Sequence, residues 1–355
     1  MTRPFVSVLI DTYNHERFIE RALQSVLAQD FPAADREILV VDDGSTDRTP
    51  DLVAKFAPHV HLLRKTNGGQ ASAFNVCISE CRGEIIAFLD GDDAWTPDKL
   101  RRVLAVFSAN PQCGIVGHGI RNCFEDGSEI IDAPEKPERL RLGSLAVARV
   151  FRLRKSYLGT SRMTIRAGIA RQILPVPEAL VIEADEFLFT LAAVLSDLVI
   201  LPEQLTHYFV HGGNLYQAAG SNPEALRRKL RVHIALASAL RRELLARGVP
   251  ADAAECVTEI IAAEGDQIRL MLEGGAPWET LRTERAIYRI MHGDAAPSHS
   301  FFRALTMIPA LILPPRWFYA GRRWLSSQRW YRRARESSLP PPRVNRVAGT
   351  QEFKA

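Results

Sequence analysis

The chain has 355 residues, of which 46% are hydrophobic and 24% charged, and a formal net charge of +4. It can bury a sizeable core, and its composition excludes a disordered, collagenous or disulfide-stapled protein. So small a charge excess leaves any binding of nucleic acid or membrane to depend on where the charge sits, and most of it sits in about the last sixty residues.

Five cysteines, Cys77, Cys81, Cys113, Cys123 and Cys256, form no CxxC pair, which argues against a zinc site and for a reducing cytosol. The N-terminus lacks an apolar leader and no run of about 18 apolar residues follows, so neither a cleaved secretion signal nor a helical membrane span is expected.

The first element is VSVLI, residues 6–10, a compact apolar run that reads as a buried strand. Phe18, Ile19, Ala22, Leu23, Val26 and Leu27 then recur at steps of three and four, as on one face of a helix. EILVV (37–41) is the second strand, and TPDLV opens a second helix with Thr49 as the expected N-cap and Pro50 in its first turn. A short strand at HVHLLR, the turn NGG (67–69) and a helix carrying Ala71, Phe74, Ile78 and Cys81 come next. EIIAFL (84–89) is the fourth strand, and TPDKL (96–100) starts another helix. Such alternation predicts an α/β fold, a mostly parallel sheet with helices on both faces and ligands beyond the carboxyl ends of the strands.

Farther on, strands are expected at GIVGHGI, SRMTIR and LVILP, a helix at DEFLFTLAAVL (185–195), and a largely helical stretch over 222–292. The expected organisation is a domain over 1–215, a helical extension over 216–297 and an apolar, then arginine-rich, tail over 298–355.

Three polar clusters fall at strand ends: DTYN (11–14), DDGSTD (42–47) and DGDD (90–93). Asp90, Asp92 and Asp93 would raise one another's pKa unless a cation compensates, which points to a hard divalent ion, although any one of them also suits a capped turn. DTYN and DDGSTD add an aromatic ring, further carboxylates and small residues that let backbone amides approach a ligand, and the three together suit a nucleoside diphosphate with its metal.

These stretches, with SVLAQDF, NGGQASAFN and EIIAFLDGDDAWTPDKL, resemble in order and spacing the N-terminal motifs of the inverting family 2 glycosyltransferases, which have a GT-A fold. The resemblance covers about the first 100 residues and thins to scattered motifs up to about residue 215. It implies that Tyr13 and Asp43 contact the nucleotide base, with Asp11 and Thr12 beside it, and that Asn14, Asp42, Gln70, Asp90 and Gly91 complete the nucleotide-sugar site. Asp92, Asp93 and His211 are implied as the ligands of Mg²⁺ or Mn²⁺, with the choice among the three aspartates left open. Asp11 stands where many relatives have proline or threonine, and Gln70 near where a basic residue often faces the phosphates. IEADEFLFTLAAV (182–194) resembles the family's second acidic motif and implies Asp185 as the general base, with Glu183 and Glu186 as neighbouring alternatives.

The tail has seven arginines and no acid between Arg316 and Arg335, interleaved with aromatic residues, which suits an anionic membrane surface. SSQRW (326–330) has the wrong spacing and place for the motif of processive polysaccharide synthases, so one sugar per encounter is expected. The resemblance therefore implies a metal-dependent transferase, cytoplasmic and peripheral on the membrane. It would move a sugar from a nucleotide donor, a UDP-sugar, to a glycan or lipid-linked acceptor in surface polysaccharide synthesis, without nucleic acid as a partner. A sugar-nucleotide nucleotidyltransferase and a non-catalytic nucleotide-sugar binding module are the competing readings.

Overall fold

The computed structural model describes residues 5–212, 222–292 and 308–327. Four parallel strands form the first half of the sheet in the order β3 (His61–Arg64), β2 (Arg36–Asp42), β1 (Val6–Thr12), β4 (Ile85–Asp90). The alternation of β1 explains the helices on both faces. Val6, Val8 and Ile10 pack with Ile19, Leu23 and Val26 of α1 (Ile19–Leu27), whereas Leu9 packs in the second core with Phe74 and Ile78 of α3 (Gln70–Glu80). Between these two helices, α2 (Thr49–Ala54) has Pro50 in its first turn as expected, but Thr49 is its first helical residue rather than its N-cap; Arg48 holds that place, and Asp47 Oδ1 accepts the Thr49 amide at 2.9 Å.

Beyond β4 the sheet is mixed. The short β9 (Thr164–Arg166) runs antiparallel to both β4 and β6 (Cys113–Phe124), and β6 pairs in parallel with β10 (Asp197–Val210). The sheet is thus parallel where the first polar clusters stand and mixed beyond. Edge pairings come from β5 (Ala94–Trp95) and β8 (Glu138–Leu140) on β10 and from β7 (Glu129–Asp132) on β6.

The intervening helices are α4 (Lys99–Ala109), α5 (Leu145–Arg154), α6 (Ala167–Ile173) and α7 (Ala184–Leu195), the last buried from Phe187 through Ala193. The long α8 (Pro223–Ala246) and α9 (Ala251–Glu273) put Val232, Leu236, Val257 and Ile261 into the same apolar core as α7 and the sheet. After α10 (Pro277–His292), the short α11 (Pro309–Ile312) and α12 (Pro315–Ser327) rest Ala310, Phe318 and Tyr319 on Leu270 in a separate small core. Most of the arginine-rich tail lies outside the described residues.

Candidate active site

The parallel register gathers the polar clusters at one edge of the sheet. Thr12 stands beside Asp42, and Asp11 beside Asp90. The turn after β4 passes so close to β1 that a Cβ on Gly91 would lie 2.6 Å from Thr12 Oγ1 and 2.8 Å from His15 Nδ1. Only glycine lets the two strand ends meet there.

The carboxylates at this edge strain against one another. Burial pushes Asp11 up to about 7, with the charges of Asp185 and Asp92 adding to the effect. Burial, then Asp11, Asp92 and Asp93, holds Asp90 well above the usual carboxylate range. Ser161 bonds Asp90 twice, its hydroxyl lying 3.0 Å from the Asp90 amide and 3.2 Å from its carboxylate. Beneath them Lys99, fully buried, donates to the Ser161 carbonyl at 2.8 Å and stands 3.9 Å from the Trp95 ring centroid. Burial depresses its pKa well below the usual lysine range against the opposing pull of Asp93 and Asp90. In the sequence Lys99 reads only as part of a helix start; what reveals it is three-dimensional, a cation set under a carboxylate turn.

Asp92 differs from its neighbours. Its Oδ2 lies 3.2 Å from His211 Nε2 and 3.9 Å from His15 Nε2, and Phe18 stacks on His211 at 4.2 Å between ring centroids. Burial would raise Asp92, but the bond to His211 and the nearness of both histidines outweigh it, and the group sits below its ordinary value. A carboxylate and an imidazole side by side can supply two ligands of a divalent cation whose other positions are filled from a substrate diphosphate. Among the described residues no three His, Cys, Asp or Glu side chains converge to hold a cation by themselves.

Asp93, expected among the ligands, is fully buried, and its Oδ1 accepts the Phe209 amide at 3.2 Å. It ties the end of β10 to the turn after β4. Asp42 likewise serves the scaffold. It is fully buried, with Oδ1 accepting the Ser45 amide at 3.0 Å and Oδ2 accepting from Arg64 Nε at 3.3 Å. Asn14, in the left-handed region at φ 56°, accepts the Thr46 amide at 2.8 Å and so joins the first two clusters. Tyr13 is 41% exposed, placed to present its ring to a ligand.

Asp43 organises the NGG turn. Its Oδ1 accepts from Lys65 Nζ at 2.6 Å and from the Gly68 amide at 2.9 Å, and its Oδ2 accepts from the Gly69 amide at 2.7 Å. With two acceptor sites on each oxygen, one lone pair of Oδ2 is left for an incoming N–H. Gly69 has φ +81°, and a Cβ there would lie 2.5 Å from Val181 Cα, which is how this turn seats against the loop before α7.

That seat leads to the second acidic motif. Gln70 donates to Thr160 Oγ1 at 3.0 Å and accepts the Ala184 amide at 2.9 Å, so its side chain braces the start of α7. Asp185 Oδ2 accepts from the Thr160 amide at 2.9 Å and from the Thr160 hydroxyl at 3.1 Å. The two flanking acids are each engaged by basic side chains. Glu183, left-handed at φ 59°, lies 2.9 Å from His233 Nε2 and 3.3 Å from Lys229 Nζ, both on α8, and Glu186 pairs with Lys155. Asp185 has no basic partner among the described residues, and burial pushes it up to about 6 against the bonds from Thr160. Thr160, Ser161, Lys229 and His233 were not singled out from the sequence, where such residues are too common to signal a contact so remote.

The profile of Glycosyl transferase family 2 matches residues 7–167. The chain is 33% identical over 226 residues to an uncharacterized glycosyltransferase of Nostoc sp., a match covering 61% of this chain and 68% of that one. It is 36% identical over 155 residues to the chondroitin synthase of Pasteurella multocida, covering 42% of this chain but only 16% of that one. Among solved structures, S. aureus TarS 1–349 in complex with UDP-GlcNAc matches with a TM-score of 0.58 at 18% identity, over 90% of this chain and 91% of that one. The mannosyltransferase PcManGT of Pyrobaculum calidifontis, in complex with GDP-Man and Mn²⁺, matches with a TM-score of 0.50 at 19% identity, over 92% and 89%.

Proposed function

The chain belongs to glycosyl transferase family 2, and from that premise we propose that it is an inverting enzyme moving one sugar from a nucleotide donor to a glycan or lipid-linked acceptor. The observation that carries this reading is the state of Asp185, the one acid of its motif without a basic partner among the described residues, half-buried within electrostatic reach of Asp11 and Asp90. In an inverting transfer the acceptor hydroxyl attacks the anomeric carbon opposite the leaving diphosphate and must give up its proton. Asp185 takes that proton; a value of about 6 leaves it ionised at neutrality yet basic enough to work. Thr160 fixes the carboxylate, and Gln70 fixes Thr160.

On the donor side, Tyr13 stacks the base and the remaining lone pair of Asp43 accepts from a base N–H. Thr12, Asp11 and Asp90 line the ribose side. Asp92 and His211 would hold a divalent cation, Mg²⁺ or Mn²⁺. One imidazole in the set favours Mn²⁺, because Mg²⁺ prefers oxygen throughout. Bound there, the cation neutralises charge on the departing diphosphate. UDP is the proposed donor nucleotide, supported by the fold shared with a UDP-GlcNAc-binding protein. Surface polysaccharide assembly is supported by the resemblance to a chondroitin synthase.

The test is a screen of sugar nucleotides for nucleoside-diphosphate release, with Mn²⁺, with Mg²⁺ and with chelator, on the wild type and Asp185→Asn. Release that needs a cation and vanishes in the variant is expected. Release indifferent to chelation removes the cation from the scheme. Donor binding without release for any acceptor makes the chain a binding module, and pyrophosphate release from a nucleoside triphosphate makes it a nucleotidyltransferase.

A further inference from the structure

The outer surface of α11 and α12 is built the wrong way round for water. Within α12, Pro315, Phe318 and Tyr319 are buried on the body of the protein, so the opposite face should be polar. Instead that face carries Trp317, Ala320, Gly321 and Trp324, with Trp317 72% and Trp324 64% exposed. The preceding turn adds Ile308, Leu311, Ile312 and Leu313, with Ile312 73% exposed. Six of the fourteen exposed large apolar residues among the described ones therefore fall within residues 308–324. A concentration of this kind on an otherwise finished surface marks an interaction site.

We propose that this face is a docking surface for an anionic lipid bilayer, seated at the headgroup level with Trp317 and Trp324 as its anchors. Charge selects this occupant over a protein. Residues 297–355 contain eleven Lys and Arg and two acids, while residues 1–296 contain 34 Lys and Arg and 39 acids, so the basic charge is concentrated in the same stretch of sequence as the apolar face. Tryptophan beside arginine suits the boundary between headgroups and acyl chains, and each basic residue near an anionic surface adds about 1 kcal/mol of attraction. Arg316 donates to the Leu272 carbonyl, and Arg322 pairs with Glu284, so both fasten the helix to the body rather than neutralise its outside. No helix among the described residues is long and apolar enough to cross a membrane, and α11 and α12 span only 4 and 13 residues, which suits lying in the interface.

The experiment uses the full chain and vesicles of phosphatidylcholine, alone or with one-third phosphatidylglycerol. Co-sedimentation with the anionic vesicles, weakened by salt, and quenching of tryptophan fluorescence by spin-labelled lipid are expected. In Trp317→Ser/Trp324→Ser, partition should drop about tenfold or more and the quenching should largely disappear, while the melting temperature and donor turnover without lipid stay as in the wild type. Since both side chains are exposed, the variant should fold, and Ile312→Asp provides a second, independent disruption of the face. No binding to anionic vesicles, or equal binding by wild type and both variants, overturns the proposal. So does a dimer in solution that the substitutions dissolve while vesicle binding is absent, because the face is then a contact between copies of the chain. Since the lipid assay needs no sugar transfer, its failure is separate from failure of the catalytic scheme.

Discussion

Gln70 reaches Asp185 through a single hydroxyl: its amide donates to Thr160 Oγ1 at 3.0 Å, and the same hydroxyl donates to the Asp185 carboxylate at 3.1 Å. That bond is one of the influences holding Asp185 down against its burial. Thr160→Val keeps the backbone bond but removes the hydroxyl, and a bond to a charged group is worth roughly 1.5–3 kcal/mol. The acid limb of the pH–rate profile should therefore move upward by about one unit or more in the variant, whereas Thr160→Ser should restore it. Profiles of kcat/KM against pH check this.

Asp185→Asn separates function from stability. Loss of a general base lowers turnover by about 10²–10⁴-fold. Stability should move the other way above neutrality. The folded protein raises Asp185 to about 6, so it binds that proton more tightly than the unfolded chain does. The stabilising contribution is full at low pH and is lost as pH rises from the ordinary aspartate value through about 6. Asparagine has no such loss. At pH 8 the variant should melt higher than the wild type, by up to about 3 kcal/mol, and near pH 4 the two should converge. Thermal melts across pH measure both.

Asp43→Asn leaves the size of the side chain but exposes Lys65 and the Gly68 and Gly69 amides to a weaker acceptor. The NGG turn loosens, and destabilisation of about 1–3 kcal/mol is expected, with a raised KM for donor. Because the turn seats against the loop before α7, kcat should fall as well. Chemical denaturation and steady-state kinetics report the two effects separately.

Glu183 makes the helical region part of the catalytic apparatus. Its left-handed backbone is a strained choice for a residue with a side chain, and the pairing with His233 and Lys229 holds it there. His233→Ala leaves Glu183 with Lys229 alone, so the start of α7 should shift and kcat should fall about tenfold with donor KM little changed. His233→Gln, which can still donate, should recover much of the loss.

The parallel half of the sheet was legible because each strand is an unbroken apolar run followed by turn residues, and each helix repeats its apolar face. Legibility fails where the signal is interrupted. The strand β10 was read only at LVILP, because Pro202 and the polar PEQLTH follow; there the ladder to β6 shifts register near Gln204 and continues. The pieces β5, β7 and β8 are two to four residues long and take their pairing from neighbours. In the site, Asp185 could be singled out through its motif, but its selection over Glu183 and Glu186 rests on Lys155, Lys229 and His233, which only the fold brings near. Asp42 and Asp93 look in sequence like Asp43 and Asp92 beside them, and only the partners the fold brings, the Ser45 amide and Arg64 for Asp42 and the Phe209 amide for Asp93, tell them apart.

The shared core beneath α7, α8 and α9 bears on how the enzyme can be cut. The family profile ends at residue 167, ahead of Asp185, and the last strand among the described residues ends at Val210. A chain stopped at either place would lose the Leu236 and Ile261 side of its own core and leave Glu183 without His233 and Lys229. The smallest fragment worth expressing as an enzyme extends through His292, because Ile290 of α10 belongs to that core as well.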